Sequence, residues 1–291
     1  MKKSRLILGL DIGGTSINAG IMNDGKLIEK KEIPTPSHAS QEVILATIAE
    51  FISSYFTYDI AGIGIGIPGL VDSQKGIVYN LENIPAFTKV ALKKYLEEKL
   101  NKPVFINNDA NCFALGEYKF GGAGKHTHIV GITLGTGIGT GIITNKELYT
   151  GYICGAGEWG GVPYLDANFE NYCSSKFFRL LHHTTAKKLS HEAAKGDEEA
   201  LKLFREYGTH IGNLIKYILF TYAPEAIVIG GSIRKAFPYF SKSMHEAVNT
   251  FPYKSISDNL TIYTSTLEDS AIMGATALVE QNETPEVNMV K

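Results

Sequence analysis

The chain has 291 residues, 44% of them hydrophobic and 20% charged, with a formal net charge of −2 at pH 7. That length exceeds what one hydrophobic core usually organises, so two packed lobes with a cleft between them are expected. The near-neutral balance gives nucleic acid no broad attraction, and the longest apolar stretch, Ile60 to Val71, is broken by four glycines and Pro68 short of the roughly 18 residues of a membrane span.

In chain order, the basic start Met1 to Arg5 precedes an apolar run that Asp11 cuts short, too short for an export signal, so a cytoplasmic protein is expected. Apolar periodicity predicts strands at Leu6 to Asp11, Asn18 to Met22 and around Lys26 to Ile33, an antiparallel meander joined by glycine turns. A helix at Ser40 to Phe56, a glycine-alternating strand at Gly62 to Ile67, a helix at Lys89 to Leu100 and a buried strand at Val104 to Asn107 follow in α/β order. The second half repeats the plan, with strands at His128 to Leu134 and Gly139 to Thr144, a long helix at Glu198 to Tyr222, a strand at Ala226 to Ile229 and a helix at Arg234 to Thr250. Two copies of one lobe are expected, residues 1–113 and 114–269, with a final helix at about 270–281 packing back on the first. Residues after Gln281 are expected to fray. The cysteines, Cys112, Cys154 and Cys173, are odd in number and form no C-x-x-C pair, so buried reduced thiols are expected.

Two hairpin turns have the equipment for phosphate. Asp11-Ile-Gly-Gly-Thr15 sets a carboxylate at a strand end before two glycines and a hydroxyl; the glycines admit phosphate oxygens to the backbone amides, Thr15 adds a donor, and Asp11 is placed to hold Mg²⁺ through water. A plain β-turn explains the same residues. Gly135-Thr-Gly-Ile-Gly139 repeats the amides and the hydroxyl of Thr136 without an acid, and taken alone is an ordinary glycine-rich hairpin; the two together make a clamp.

Asn108 and Asp109 follow a buried strand and open a helical pattern, which makes either a candidate N-cap. Phosphoryl transfer to an alcohol also needs a carboxylate at the acceptor hydroxyl, and Asp109 is the candidate base, with Asn108 able to fix the acceptor's neighbouring hydroxyls. Glu158, among small residues in Gly155 to Gly161, suits two adjacent sugar hydroxyls; Glu170, Asp166 and Asn171 follow closely, with a polar turn the better account of the last two. Gly230 and Gly231 end a buried strand, where exposed backbone can lie against adenine or close packing can require glycine.

Two tempting motifs fail. Gly64 to Gly69 satisfies G-x-G-x-x-G, yet Asp72 to Gly76 and a short strand follow where a helix belongs. Gly121 to Thr127 resembles a phosphate-binding loop, but His126 stands where Ser or Thr is needed. His182 and His183 are adjacent on a helical pattern and point apart, a poor metal pair.

Taken together, Leu10-Asp-Ile-Gly-Gly-Thr15, Gly66-Ile-Pro-Gly69, Asn107-Asn-Asp-Ala-Asn111, Gly131 to Gly139, Gly155-Ala-Gly-Glu158 and Ile229-Gly-Gly231 resemble, in order, the blocks of the ROK family of bacterial sugar kinases. The resemblance implies a two-lobed, actin-like (ribonuclease H-like) ATPase fold with a duplicated mixed-sheet core. It implies ATP and Mg²⁺ as cofactors, a hexose or hexose derivative as acceptor, and a homodimer. By that likeness Asp109 is the base, Asn108, Glu158 and Glu170 bind sugar hydroxyls, Gly69 lies along the sugar, and Gly13, Gly14, Thr15, Thr136 and Gly137 hold ATP phosphates. Where the family places a histidine, which binds sugar and ligates a structural zinc with nearby cysteines, this chain has Gly161, and the cysteine run is missing, so no zinc site is expected.

The rival expectation is a non-catalytic sugar sensor, since the resembled family includes repressors. Those carry an N-terminal helix-turn-helix, whereas this chain opens almost directly on its first strand. A kinase of the same superfamily with a non-hexose acceptor is a further alternative. Lobe closure on sugar and ATP is expected to align the acceptor oxygen between Asp109 and the γ-phosphate.

Overall fold

The computed structural model describes residues 5–283. Its chain divides into two compact units: the first holds the described residues up to Gly122, Leu148–Ala156 and those from Leu267 on, and the second holds Ala123–Glu147 and Gly157–Thr266. The chain therefore leaves the second unit for residues 148–156 and returns, a detour absent from the simple 1–113 and 114–269 division, and Ala114 to Gly122 stay with the first unit.

In the first unit, strands β1 (Leu6–Ile12), β2 (Ser16–Asn23) and β3 (Lys26–Pro34) form the expected antiparallel meander. β1 is buried almost throughout, as a central strand covered on both faces should be, whereas β3 alternates exposed and half-buried residues and carries the Lys and Glu side chains that blunt a sheet edge. Helix α1 (Gln41–Ser53) starts where Ser40 accepts a hydrogen bond from the Val43 amide. β4 (Ile60–Ile67) joins β1 in parallel. A small three-stranded sheet follows, β5 (Leu70–Asp72), β6 (Ile77–Tyr79) and β7 (Lys89–Val90). This last strand corrects the helix expected over Lys89 to Leu100: Lys89 pairs with Tyr79 and Val90 with Val78, so α2 begins only at Leu92 and runs to Leu100. β8 (Val104–Asn108) pairs in parallel with β4 and leads into α3 (Asp109–Lys119).

The second unit repeats the arrangement. β9 (Ile129–Leu134) and β10 (Ile138–Thr144) form an antiparallel hairpin, and the short β11 (Glu147–Tyr149) carries the chain into the detour. After the two-residue strands β12 (Pro163–Tyr164) and β13 (Ala167–Asn168) come α4 (Phe169–Cys173), α5 (Ala186–Ala193) and the long α6 (Glu198–Thr221), which Asp197 caps through the Ala200 amide. β14 (Ala226–Gly230) pairs in parallel with β9. The helix expected over Arg234 to Thr250 is shorter: a tight 3-10 turn holds Ser232–Ala236, and α7 (Phe237–Val248) starts beside Pro238, which has no amide to donate and suits a first turn. α8 (Lys254–Ser257) and β15 (Thr261–Thr264) complete the unit, β15 parallel to β14. Each unit thus contains a hairpin followed by two parallel strands, β2-β1-β4-β8 and β10-β9-β14-β15.

α9 (Ser270–Glu283) belongs to the first unit. The alternating glycines of the sheet are its seat: a Cβ on Gly64 would stand 1.8 Å from the Ala275 carbonyl oxygen, and one on Gly9 2.3 Å from that of Ile272. Close packing, not a dinucleotide, accounts for the G-x-G spacing. Fraying was expected after Gln281, but residues 282 and 283 are still helical in α9; residues 284–291 lie outside the described residues. No helix of the described residues is long and apolar enough to cross a membrane. The three cysteines are buried and unpaired, and burial pushes the thiols of Cys112 and Cys173 well above their ordinary range.

Candidate active site

The residues expected to act on the sugar begin where β8 becomes α3. Asn108 has extended backbone and caps the helix, its Oδ1 accepting from the amides of Ala110 (2.9 Å) and Asn111 (3.3 Å), while its Nδ2 donates to the Gly69 carbonyl at 3.1 Å. The N-cap explanation is therefore correct for Asn108, and the same bond ties it to Gly69, which turns the chain at φ +80°. Asp109 is then the first helical residue, with its Oδ1 accepting from the Ala110 amide at 2.8 Å. Its side chain keeps some access to solvent, yet burial of its surroundings pushes its carboxyl above the usual carboxylate range, partly offset by backbone hydrogen bonds. A group in that state has a strengthened proton affinity, which is what a base needs.

Asp11 lies on β1, level with Gly66 of β4, and feels Asp109 electrostatically. Burial first, then Asp109, raise its carboxyl from 3.8 to about 7; Lys30 opposes the rise and Asp269 adds to it. Lys30 itself pairs with Asp269 at 2.5 Å. A divalent cation reverses both main causes, because it supplies positive charge to a desolvated carboxylate beside other acids, so the donor set fits Mg²⁺ held through water.

The turn after Asp11 is closed internally. The Gly13 amide donates to the Ser16 carbonyl at 2.9 Å, and Thr35 holds the turn from outside, its hydroxyl donating to the Gly13 carbonyl (2.6 Å) and its amide to that of Thr15 (3.0 Å). Gly14 is required for space, since a Cβ there would meet the Asn83 Cβ at 2.4 Å. Behind this region Asn107 Oδ1 accepts from the Asn108 amide (2.8 Å), Asn111 Nδ2 (2.9 Å) and Cys154 Sγ (3.2 Å). Cys154, from the detour, has φ +54°, as Ile153 has +45°, so this anchor holds two non-glycine residues in left-handed backbone. Sequence reasoning gave Asn107 no role beyond its place in the Asn107 to Asn111 block and did not connect Thr35 or Cys154 with this region, because their partners lie 22 and 47 residues away.

In the second unit the β9-β10 hairpin is built alike: the Gly135 amide donates to the Gly137 carbonyl at 3.1 Å, and the Gly135 carbonyl accepts from the Ser175 amide at 2.8 Å. Glu170, on α4, lies against this turn. Its Oε2 accepts from the Ile138 amide at 3.2 Å, its Oε1 pairs with Lys176 Nζ at 2.5 Å, and a Cβ on Gly137 would come within 2.5 Å of Oε2. Glu158 is exposed on the turn before Trp159, whose ring is buried edge-on to Tyr222. The preceding Gly157 has φ +88° and its carbonyl accepts from the Thr140 hydroxyl. Gly231, at φ +76°, passes so close to β9 that a Cβ would stand 2.3 Å from the Leu134 carbonyl oxygen, so close packing alone demands glycine there. Asp166 accepts from the Tyr172 hydroxyl and Asn171 lies in α4, both in local structural roles. His183 follows the short helical turn that ends at Leu181, with φ +50°. No group of three or more His, Cys, Asp or Glu side chains placed to hold a metal ion occurs among the described residues.

Within the first unit the structure thus brings together Asp11, Asp109, Asn108 and Gly69, and within the second Gly137 and Glu170. The sequence matches the ROK family over residues 7–282. It is 31% identical to a glucokinase of Thermotoga maritima, over 97% of this chain and 99% of that protein, and 30% identical to a xylose repressor of Bacillus subtilis, over 96% of this chain and 78% of that one. Among solved structures, a ROK family glucokinase from Streptomyces griseus in complex with glucose and AMPPNP superposes with a TM-score of 0.81 at 26% identity, covering 95% of this chain and 99% of that chain. The architecture is accordingly the actin-like ATPase fold of the ROK sugar kinases, with its mixed-sheet core present in each unit. Because the match runs through both compact units, the assignment holds for the described chain as a whole: it belongs to the ROK family.

Proposed function

We propose that the chain transfers the γ-phosphate of ATP to a hydroxyl of a hexose or hexose derivative, with Asp109 as general base. The observation that supports this most is the state of Asp109: fixed on the first turn of α3, reachable from solvent, and raised in proton affinity by its surroundings. ATP as donor is supported by the AMPPNP complex of the Streptomyces griseus glucokinase.

Asp109 accepts the proton of the attacking hydroxyl, and Asn108 and Glu158 orient the ring through its neighbouring hydroxyls, with Gly69 admitting the sugar to the backbone. Glu170 accepts a further hydroxyl. Gly13, Gly14, Thr15, Thr136 and Gly137 receive the phosphates, Gly13 through its missing side chain, since its amide is engaged in the turn. Gly230 and Gly231 lie along the adenine. Mg²⁺, held through water by Asp11, would neutralise phosphate charge as the transfer proceeds. The enzyme acts in the cytoplasm as a homodimer.

A sugar-binding regulator without activity is the second possibility, favoured by the likeness to the xylose repressor. ADP release measured over a panel of hexoses and amino sugars separates the two. A kinase releases ADP only with its acceptor present; a regulator binds a sugar, seen by calorimetry, and releases none.

A further inference from the structure

Glu170 creates an electrostatic problem for the proposed reaction. Its carboxylate touches the turn that is to receive nucleotide phosphates: Oε2 accepts from the Ile138 amide at 3.2 Å and lies where any side chain on Gly137 would be. An uncompensated carboxylate in that place repels an incoming triphosphate, and a partly desolvated setting strengthens the repulsion. Lys176 lies at the other oxygen, Nζ to Oε1 2.5 Å, with its side chain 39% and that of Glu170 28% exposed. Exposed ion pairs usually contribute little. This one is anchored on both sides, because Ser175, the residue before the lysine, donates its amide to the Gly135 carbonyl at 2.8 Å, and the Ser174 hydroxyl bonds back to the Glu170 carbonyl at 2.6 Å. The segment that carries the lysine is therefore held beside both the carboxylate and the turn, with the ammonium within reach of Glu170.

We propose that Lys176 is a charge-compensating positioning residue, which holds the Glu170 carboxylate against Ile138 and cancels its charge so that an acid that reads sugar hydroxyls can lie beside the nucleotide phosphates. This rests on the kinase reading of the site. Two consequences follow from the geometry. Removal of the ammonium leaves a net negative charge at the hairpin and weakens nucleotide binding. Removal of both charges relieves the repulsion, so nucleotide affinity returns while the acceptor for the sugar hydroxyl is lost.

The test is the dissociation constant of a fluorescent ATP analogue with Mg²⁺, measured without sugar. Lys176→Met is expected to raise it about tenfold, as loss of one partner of a close charge pair does. Lys176→Arg should stay near wild type, and Lys176→Met combined with Glu170→Gln, which leaves the hairpin as neutral as the wild-type pair does, should return to within about twofold of wild type. A merely structural lysine would not be rescued by the second substitution. If Lys176→Met binds the analogue as wild type does, or if the double variant is as weak as Lys176→Met, the inference is overturned while the kinase reading stands. A wild-type protein that fails to bind the analogue at all removes both.

Discussion

Asp11 is held in a state that costs the fold stability. Its carboxyl is raised from 3.8 to about 7, chiefly by burial and then by Asp109, so the native state takes up a proton more readily than the unfolded chain does. The sign follows: the protonated native state has its full advantage below 3.8, and that advantage is lost as pH rises from 3.8 through about 7. Asp11→Asn should therefore raise the Tm at pH 8 by a few degrees and change it little at pH 4, in Mg²⁺-free buffer. An equal gain at both values would contradict the cause given for the shift. Glu158→Gln is expected to weaken sugar affinity roughly tenfold while nucleotide binding holds, since an amide cannot accept at both positions. An unchanged sugar dissociation constant in calorimetry would take Glu158 out of the pocket. The cap at Asn108 was legible in the sequence because a polar residue between a buried strand and a helical pattern suits an N-cap; the same junction singles out Asp109, whose role as base is the proposal tested below. Thr35 and Cys154 were not, because their partners, Gly13 and Asn107, are distant in sequence, and Lys176 was not, because only the fold shows that its partner Glu170 lies against the β9-β10 turn.

Elements were legible wherever periodicity ran long. β1, β2, β3, β4 and α6 fall within a few residues of their expected bounds, since alternating or 3.6-residue burial is dictated by the chain itself. The failures are local competitions. Lys89 and Val90 continue a helical pattern in sequence but are captured by β6, and the 3-10 turn before α7 interrupts another. The glycines of α3 and α9 gave no signal of their purpose. A Cβ on Gly274 would stand 1.7 Å from the Cys112 carbonyl oxygen, and one on Gly116 2.0 Å from that of Ser270, so the two helices cross backbone to backbone. Gly274→Ala should then destabilise by about 2 kcal/mol or more, read as a fall in Tm, because the obstacle is main chain and cannot rotate away. Gly161→Ala is the control: nothing lies within 4 Å of its added Cβ, and its Tm should be unchanged. Equal behaviour of the two variants would refute the packing account of α9.

At the scale of the whole molecule, the repeated plan was readable from the similar hairpin turns Asp11 to Thr15 and Gly135 to Gly139 and the strands around them, and both sheets carry it. The detour of Leu148–Ala156 into the first unit was not readable, because Gly151 to Ala156 look like loop in any context. Family membership follows from the match over residues 7–282, but that family includes both a glucokinase and a xylose repressor among the relatives of this chain. Chemistry at one carboxylate decides between them. The direct measurement is sugar-dependent ADP release by Asp109→Ala beside its affinity for nucleotide. The account predicts a turnover lower by about 10² to 10⁴ with nucleotide binding nearly intact, the contribution expected of a general base. Turnover close to that of the unmodified protein would contradict it.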